Sequence, residues 1–376
     1  MIYLDNAATS YPKAPGVAPA VAEFITSIGA NAGRSSYRTA REASRIIYET
    51  RKLLAELLET SSEDRICFCL NTTQALNIAI KGLIKPGNTI LTSPLEHNSV
   101  MRPLRWLESH QAVIIKQFRI KDYEIDWQYL EEQMNKKPDL LIFTAASNVN
   151  GYVLPYQEIA RRARRRNIPV ILDAAQIIGS LPVKSDDYDV VCFPGHKGLL
   201  GPMGTGGLFV GKNVEIDSLI QGGTGSRSTE EFQPEELPDR LESGTPNIPG
   251  ICGLKAGLEF ILKTSLITIR EKKRSITNYL LQELAAIEEI NIHSQLSQEI
   301  QCGVVSITSR RWSISELAWE LDKAEIASRM GLHCAPSAHK TIGTYNSGGT
   351  LRLSPGYFNT KEEIDQIISL LKELHR

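Results

Sequence analysis

Two short polar clusters follow apolar runs and carry residue types suited to amine and carbonyl chemistry. Gly195-His-Lys197 follows the run from Val190 to Phe193, and Asp173 with Gln176 follows the run from Pro169 to Leu172. Such runs are typical of buried parallel strands, and open α/β sheets bind ligands at the carboxyl ends of their strands. A lysine near a buried carboxylate is either a reactive amine or half of a structural ion pair. These two positions alone leave both interpretations open.

Two further predicted strands bring polar groups to the same edge of the sheet. His97 follows the strand from Thr89 to Thr92, and Asn148 follows the strand from Leu140 to Phe143. A single histidine at such a place is as readily a hydrogen-bonded structural residue as a catalytic one. Their position beyond strand ends nevertheless groups both residues with the lysine and the aspartate.

Hydroxyl residues open the helix that follows the predicted strand from Arg65 to Leu70. Thr72 and Thr73 are, on their own, ordinary helix caps. The start of a helix also presents unpaired N–H groups and the positive end of the helix dipole to an anion. The two roles are compatible, and the second predicts a phosphate site.

Together these residues predict pyridoxal 5′-phosphate (PLP) as a cofactor. The aldehyde of PLP reacts with an amine, for which Lys197 is the candidate, and its pyridine nitrogen needs an anion such as Asp173 to remain protonated. Its phosphate needs N–H and O–H donors, which the helix start supplies.

Composition limits the other functions that the chain can have. The 376 residues suffice for two domains, and a net charge of −1 gives no field that favours nucleic acid or a membrane surface. The five arginines between residues 161 and 166 are interpreted as complementing a helix dipole. The six cysteines lack metal-binding spacing. We therefore expect a cytoplasmic protein with reduced thiols, no metal, and no nucleic-acid or membrane partner.

The alternation of strands and helices changes near Pro249. We place the start of a second domain there, and we predict one long connecting helix from about Gly250 to Lys272. The last helix is predicted to begin at the capping sequence from Asn359 to Glu363. No stretch approaches the roughly 18 apolar residues that a membrane-spanning helix needs.

From Tyr3-Leu-Asp-Asn-Ala-Ala8 to Tyr357-Phe-Asn-Thr360 the chain resembles the cysteine desulfurases of the class V aminotransferase group. The combination of the two motifs Gly195-His-Lys197 and Asp173-x-x-Gln176 makes this resemblance specific. Arg329-Met-Gly-Leu-His-Cys-Ala335 resembles the motif of short-loop desulfurases, which include selenocysteine lyase-like enzymes.

The resemblance implies an α/β fold, that of the fold-type I PLP-dependent transferases. Residues 14–248 would form a large PLP-binding domain with a mostly parallel, seven-stranded sheet. Residues 1–13 and 249–376 would form a smaller α+β domain.

The resemblance also implies which residues bind the cofactor. Lys197 would form the Schiff base and move protons, Asp173 would pair with the pyridinium nitrogen, and Gln176 would donate to the phenolic oxygen. His97 would stack on the ring, and Thr245 would reach the phosphate of a partner subunit, which implies a homodimer. The expected cofactor-binding set is Thr72, Thr73, His97, Asp173, Gln176, His196, Lys197 and Thr245.

The same resemblance implies how substrate is bound and attacked. Asn148 and Arg352 would hold the substrate carboxylate, a role that suits a bidentate guanidinium, and Arg329 would lie near the substrate. Cys334 would take up sulfur as a thiolate, so that Lys197, Cys334 and His97 form the expected catalytic set. Cys334 as a buried structural residue and His333 as either base or structural residue remain alternatives.

Two positions depart from the family pattern. The family usually carries a hydroxyl residue, which reaches the phosphate, where this chain has Pro194. Phosphate binding would therefore rest on Thr73, His196 and backbone groups, because proline offers neither O–H nor N–H. Tyr37 stands where the family often has a histidine.

The implied reaction converts L-cysteine to L-alanine and leaves the sulfur on Cys334 as a persulfide, from which an acceptor protein or a thiol removes it. L-selenocysteine is an alternative substrate, and another β-lyase or class V aminotransferase reaction is an alternative activity. A PLP-binding scaffold without turnover is a third interpretation, which the intact set of Lys197, Asp173 and Cys334 disfavours.

Overall fold

The computed structural model describes residues 1–33, 37–226, 229–295 and 301–375. A π-helical turn at Phe24–Ile28 follows the first α-helix. Within the described residues the α-helices are α1 (Val17–Glu23), α2 (Arg38–Leu57), α3 (Thr72–Leu83), α4 (Asn98–Gln111), α5 (Trp127–Asn135), α6 (Tyr156–Arg164), α7 (Ile248–Thr264), α8 (Leu266–Ala285), α9 (Ile314–Lys323), α10 (Pro336–Thr341) and α11 (Lys361–Leu374).

The strands of the same residues form one large sheet, one smaller sheet and two short pairs. They are β1 (Ile2–Tyr3), β2 (Ile66–Cys69), β3 (Thr89–Thr92), β4 (Ile114–Gln117), β5 (Ile120–Lys121), β6 (Glu124–Ile125), β7 (Leu140–Thr144), β8 (Val170–Asp173), β9 (Val190–Pro194), β10 (Gly206–Val210), β11 (Ile290–Ile292), β12 (Val305–Ser309), β13 (Ile326–Ala327), β14 (Arg329–Gly331) and β15 (Thr350–Leu353).

The large sheet has the seven strands that the resemblance implied, and their order is β2-β10-β9-β8-β7-β3-β4. Its pairs are parallel from β9 through β8, β7 and β3 to β4, and only β10 runs antiparallel to both of its neighbours. Because β10 is antiparallel to both β2 and β9, those two strands run in the same direction. The carboxyl ends of β2, β3, β7, β8 and β9 therefore lie along one edge.

Apolar residues on both faces explain why the central strands are buried. Every residue of β7, β8 and β9 is buried, and separate apolar clusters cover the two faces of the sheet. Parallel sheets that are covered by helices on both faces need such continuous apolar runs. The polar residues that follow each run are thus delivered to the rim of a rigid sheet.

The smaller sheet is antiparallel, in the order β11-β12-β15-β14, and packs on a third apolar cluster with α8, α9 and α11. The first strand of the chain pairs with β13, next to this sheet. The division at residue 248 stays a prediction, because the largest apolar cluster contains residues from both sides of that position.

The expectation of one long helix across residues 250–272 is wrong. The segment forms α7 and α8, which are separated at Ser265. Ser265 takes a left-handed backbone conformation with φ +74°, and its hydroxyl accepts a hydrogen bond from the Thr268 N–H at 3.2 Å. The serine therefore ends one helix and caps the next, a role that a helical periodicity does not reveal.

No helix in the described ranges is both long enough and apolar enough to cross a bilayer. The cytoplasmic location expected from the sequence stays a prediction.

A buried ion pair anchors the segment that leads to Thr245. Arg51 Nη2 of α2 lies 2.5 Å from Glu242 Oε2, and both side chains are largely buried. The other carboxylate oxygen of Glu242 accepts the backbone N–H of Phe68 at 2.5 Å, and the guanidinium covers the Phe68 ring. One carboxylate therefore joins α2, β2 and the 242–247 segment.

We expect Arg51→Met to lower the free energy of unfolding by about 3 kcal/mol, because it leaves the Glu242 carboxylate buried without a counter-charge. The double variant Arg51→Met with Glu242→Leu should recover much of that loss. Chemical denaturation measures both values. Lys85→Met is the matched control, since it breaks the exposed Lys85–Asp217 pair and should cost less than about 1 kcal/mol. An Arg51→Met loss no larger than the control's would contradict the assignment.

Candidate active site

Five strand ends bring the sequence-predicted residues to one place. Thr72 and Thr73 follow β2, His97 follows β3, and Asn148 follows β7. Asp173 ends β8, and His196 with Lys197 follow β9. Arg329, Cys334 and Arg352 come from β14, the loop after it and β15 of the smaller sheet.

Lys197 and Asp173 form the charged centre of the site. Burial lowers the pKa of Lys197 to about 8; the charge of Asp173 opposes this shift, and the cations Arg352 and Arg329 add to it. Asp173 is buried, which raises the pKa of its carboxyl, while the Ala175 N–H at 3.0 Å and Lys197 oppose that rise. The amine is therefore readily deprotonated beside a carboxylate that is shielded from water, as proton transfer from carbon requires.

The start of α3 forms a cradle suited to a phosphate. Asn71 accepts the Gln74 N–H at 2.9 Å, and the first turn of α3 carries no acidic side chain. A Cβ on Gly206 would lie 3.0 Å from Asn71 Cα, so only glycine lets the neighbouring strand approach this closely. His196 Nδ1 is buried and has no hydrogen-bond partner in the described part of the chain. The N–H groups at the start of α3 and the unpaired ring nitrogen of His196 fit the phosphate of PLP, even though Pro194 contributes no donor.

His97 is held as a neutral ring. Burial lowers its pKa to about 4, and the cations Lys197, Arg329 and Arg352 reinforce the shift. The ring also caps α4, because its Nδ1 accepts the Ser99 N–H at 3.1 Å. The proton of the neutral ring is therefore on Nε2, and a ring fixed in this way is suited to stack on a cofactor.

Three other predicted or divergent positions differ in exposure and in contacts. Gln176 is half-buried, and its Nε2 donates to the Ala7 carbonyl at 3.2 Å. Thr245 lies on an exposed segment and lines a cavity of about 450 Å³. Tyr37 is exposed at the start of α2. The proposed contact of Thr245 with a partner subunit stays a prediction.

Arg352 and Asn148 form the candidate carboxylate subsite. Arg352 is only 1% exposed; its Nη1 donates to the Asn148 carbonyl at 3.0 Å, and its Nη2 lies 2.6 Å from Asp5 Oδ1. Its Nε is buried without a partner among the described residues. Asn148 Nδ2 donates to the His333 carbonyl at 2.7 Å. The guanidinium thus retains its Nε–H for an incoming carboxylate, and Asn148 links it to the loop of the candidate nucleophile.

Cys334 is exposed, which disfavours its interpretation as a buried structural residue. Its Sγ lies 3.8 Å from Arg329 Nη2, and its carbonyl accepts the Asn98 N–H at 2.7 Å. The second contact ties the thiol's loop to the residue after His97. The thiol is therefore accessible to a bound molecule and lies beside a guanidinium.

His333 does not serve as the base for this thiol. Its side chain is 3% exposed, its Nε2 lies 3.0 Å from Thr350 Oγ1, and burial lowers its pKa to about 2. A ring that is such a weak base cannot take a thiol proton near neutral pH. Of the two alternatives for His333, the structure supports the structural one.

The sequence analysis missed an N-terminal segment that lines the site. The His196 carbonyl lies within hydrogen-bonding distance of four donors: Thr9 Oγ1 at 3.1 Å, Ser10 N at 3.0 Å, Ser10 Oγ at 3.1 Å and Lys13 Nζ at 2.8 Å. Asp5, from the same segment, holds Arg352. The sequence from Tyr3 to Ala8 was part of the resemblance, but nothing in its spacing related Asp5 to an arginine almost 350 residues later.

Glu96 is a second residue that was missed. It is fully buried next to His97, and its Oε1 accepts the Thr144 N–H at 2.9 Å and contacts the Ser93 hydroxyl. Burial raises its pKa to about 8. A neutral carboxylic acid at this position leaves Asp173 as the nearby anion beneath the site.

The chain is similar to known proteins over nearly its whole length. Residues 2–367 match the aminotransferase class-V family. A probable cysteine desulfurase of Methanothermobacter thermautotrophicus is 32% identical, over 99% of this chain and 94% of its own length. A cysteine desulfurase of Escherichia coli is 28% identical, over 100% of this chain and 94% of its own. The apo structure of a cysteine desulfurase from Thermococcus onnurineus superposes with a TM-score of 0.93 at 29% identity, covering 100% of this chain and 94% of that one.

The lowered pKa of Lys197 predicts a pH-dependent difference in stability in cofactor-free protein. Between about pH 8, the folded value, and 10.5, its ordinary value, the unfolded state holds the Lys197 proton more tightly than the folded state does. The unfolding free energy of wild type relative to Lys197→Met should therefore rise with pH in this window, by up to about 1.4 kcal/mol per pH unit. Urea denaturation across the window measures it. Lys13 is present in both proteins, so its contribution to the pH dependence cancels in the difference. A difference that does not vary with pH would contradict the assignment.

Proposed function

The chain belongs to the aminotransferase class-V family, and we propose that within this family it is a PLP-dependent cysteine desulfurase that converts L-cysteine to L-alanine. The observation that carries the proposal is the exposed thiol of Cys334, which lies 3.8 Å from Arg329 and opposite the strand ends that carry Lys197 and Asp173. Amine chemistry on a cofactor needs the lysine and the aspartate alone. Sulfur transfer additionally needs a thiol at the site, and the relatives named above are desulfurases.

The residues described above fit PLP. When bound, the cofactor supplies a carbonyl that condenses with amines and a ring that withdraws electrons. Lys197 would hold its aldehyde carbon and Asp173 its ring nitrogen, while the neutral His97 would cover a face of the ring. The start of α3, with Thr72, Thr73 and the free Nδ1 of His196, would bind its phosphate.

Arg352 and Asn148 orient the substrate. The buried guanidinium binds the α-carboxylate of cysteine, and the Asn148 amide adds a donor. Binding of the carboxylate to Arg352 and Asn148 directs the side chain of the substrate toward the loop of Cys334, because Asn148 contacts that loop through the His333 carbonyl. Binding at a desolvated arginine is strong and directional, so the substrate needs a carboxylate, and condensation with the cofactor's carbonyl requires an amine.

Lys197 and Cys334 carry out different steps of the reaction. The Lys197 amine removes the α-proton and later returns a proton to the product. The Cys334 thiolate, whose Sγ lies beside Arg329, attacks the substrate sulfur; the S–S bond forms as the Cβ–S bond breaks. The sulfur is oxidised while the β-carbon is reduced to the methyl group of alanine, so no external oxidant is needed. The persulfide on Cys334 then passes its outer sulfur to a thiol or to an acceptor protein.

The proposal includes two structural features. Residues 14–248 form the PLP-binding domain, and residues 1–13 with 249–376 form the smaller one, a division supported by the separate apolar cluster of the smaller sheet. The protein is a homodimer in which Thr245 reaches the phosphate of the other subunit. In support, Leu70 and Ile220, 55% and 51% exposed, line the same cavity as Thr245, and apolar side chains exposed around a cavity are typical of an interface.

Cys334→Ala should still bind L-cysteine, which is detected as a change in the visible absorbance of bound PLP, yet should form almost no alanine or sulfide. The reason is that α-carbon chemistry needs Lys197 whereas sulfur abstraction needs the thiol. Wild type that is given cysteine without reductant should gain one sulfur atom on the peptide containing Cys334, as measured by mass spectrometry.

Cys252→Ala is the matched control for Cys334→Ala, because Cys252 is a free cysteine in α7. It should keep the wild-type rate. If Cys334→Ala kept most of that rate, simple β-elimination or an aminotransferase reaction would replace desulfuration. Parallel assays with L-selenocysteine distinguish the selenocysteine lyase alternative.

The holoenzyme should sediment at twice the mass of one chain, and Thr245→Val should release PLP faster because it removes the hydroxyl offered to the partner's phosphate. We expect a loss of cofactor affinity of about fivefold, the value of one hydrogen bond, measured by ultrafiltration and absorbance. Thr224→Val, on the same cavity wall, serves as the control. A monomeric holoenzyme with full activity would rule out the shared site.

A further inference from the structure

A closed ring of hydrogen bonds joins the loop of Cys334 to the loop of Asn148. Asn148 Nδ2 donates to the His333 carbonyl at 2.7 Å. The His333 ring lies 3.0 Å from Thr350 Oγ1, Thr350 Oγ1 lies 2.9 Å from Ser306 Oγ, and Ser306 Oγ donates to the Val149 carbonyl at 2.5 Å. Because Asn148 and Val149 are adjacent in the sequence, these hydrogen bonds form a closed ring. All five residues are buried.

The direction of each bond in the ring follows from the number of protons available. Ser306 has one hydroxyl proton and gives it to the Val149 carbonyl, so Thr350 must donate to Ser306. Thr350 in turn must accept from His333, whose proton is therefore on Nε2. The other ring nitrogen, Nδ1, has no partner among the described residues, as an unprotonated nitrogen allows. The ring of hydrogen bonds is complete only when Nε2 of His333 carries a proton.

Burial and the surrounding charges keep His333 neutral, and its single ring proton remains on Nε2. Burial is the largest cause of its lowered pKa, and the cations Arg352 and Arg329 and the ring of His339 act in the same direction. The side chains of Thr350 and Ser306 are uncharged. The neutral tautomer is therefore stable across the pH range in which a thiolate can react.

The ring holds a backbone conformation that an isolated chain would avoid. His333 and Cys334 are consecutive non-glycine residues with φ of +48° and +57°. Each left-handed residue costs roughly 1–2 kcal/mol, and such residues persist only where the surroundings fix them. The contacts on the His333 carbonyl and ring, with the Asn98 N–H on the Cys334 carbonyl, provide that restraint.

We infer that His333 is a positioning residue that fixes the thiol of Cys334 relative to the carboxylate-binding Asn148 through Thr350 and Ser306. This inference rests on the proposed function, because it gives the ring the task of setting the distance between the bound substrate and the attacking sulfur. The role extends to Thr350 and Ser306, two hydroxyl residues that touch neither thiol nor substrate.

The test uses the holoenzyme and the isosteric variant Thr350→Val, which breaks the ring without altering a residue that contacts substrate. The kcat for alanine formation from L-cysteine should fall about tenfold, as expected when a buried hydrogen bond loses one partner, while KM stays unchanged because Arg352 and Asn148 remain. Amide hydrogen exchange in the peptide spanning residues 331–335 should become faster. Thr350→Ser, which restores the hydroxyl, should restore both properties.

Thr92→Val is the matched control, since Thr92 is also buried in a strand but its hydroxyl has no hydrogen-bond partner among the described residues. It should leave kcat and exchange as in wild type. If Thr350→Val does not fold, Ser306→Ala breaks the ring at the next bond and should give the same slow turnover and fast exchange. Wild-type kcat and exchange in the ring-breaking variants would overturn the inference. If wild type itself forms no alanine from cysteine, the proposed function fails, and hydrogen exchange alone still decides whether the ring restrains the loop.

Discussion

The buried guanidinium of Arg352 is the charge on which the arrangement of the site depends. A cation removed from water costs several kcal/mol unless it is paired and hydrogen-bonded, and here Asp5 and the Asn148 carbonyl supply those partners. Asp5 belongs to the N-terminal segment, Asn148 follows a strand of the large sheet, and Arg352 lies in the smaller sheet. One desolvated charge thus joins three parts of the chain, and the same charge is available to a substrate carboxylate.

The N-terminal segment extends this linkage to the lysine. Between Asp5 and Lys13 it pairs with Arg352, accepts the Gln176 amide and surrounds the His196 carbonyl with donors. The peptide next to Lys197 is therefore held in place by the N-terminal segment, which lies far away in sequence. Few of these contacts involve a reacting group, yet they determine where the amine stands.

The site carries more positive than negative charge. Lys197, Arg329 and Arg352 face Asp173 and Asp5, and the excess of cations together with burial lowers the pKa of Lys197 and of His97. A lysine with a lowered pKa is a usable base, and a neutral histidine is a flat ring without a charge of its own. The same field attracts an anionic group to Arg352.

The amino-acid sequence by itself determined the seven-stranded sheet and the position of His97, Asn148, Asp173 and Lys197 at its edge. Apolar runs define buried strands, and the residue that follows a parallel strand lies at the rim whatever the rest of the chain does. The candidate nucleophile Cys334 came from the resemblance of its motif to that of short-loop desulfurases. The break at Ser265, by contrast, depends on a single left-handed residue that periodicity does not show.

Only the tertiary structure decided the roles of Asp5, Lys13 and His333. Each acts on a partner far away in the sequence, and such pairings follow from how the two sheets pack and not from local patterns. His333 stands beside a thiol in the sequence and thereby resembles a base. Packing buries its ring against Thr350, and since a buried imidazole resists protonation, its function changes from proton transfer to holding a backbone in place.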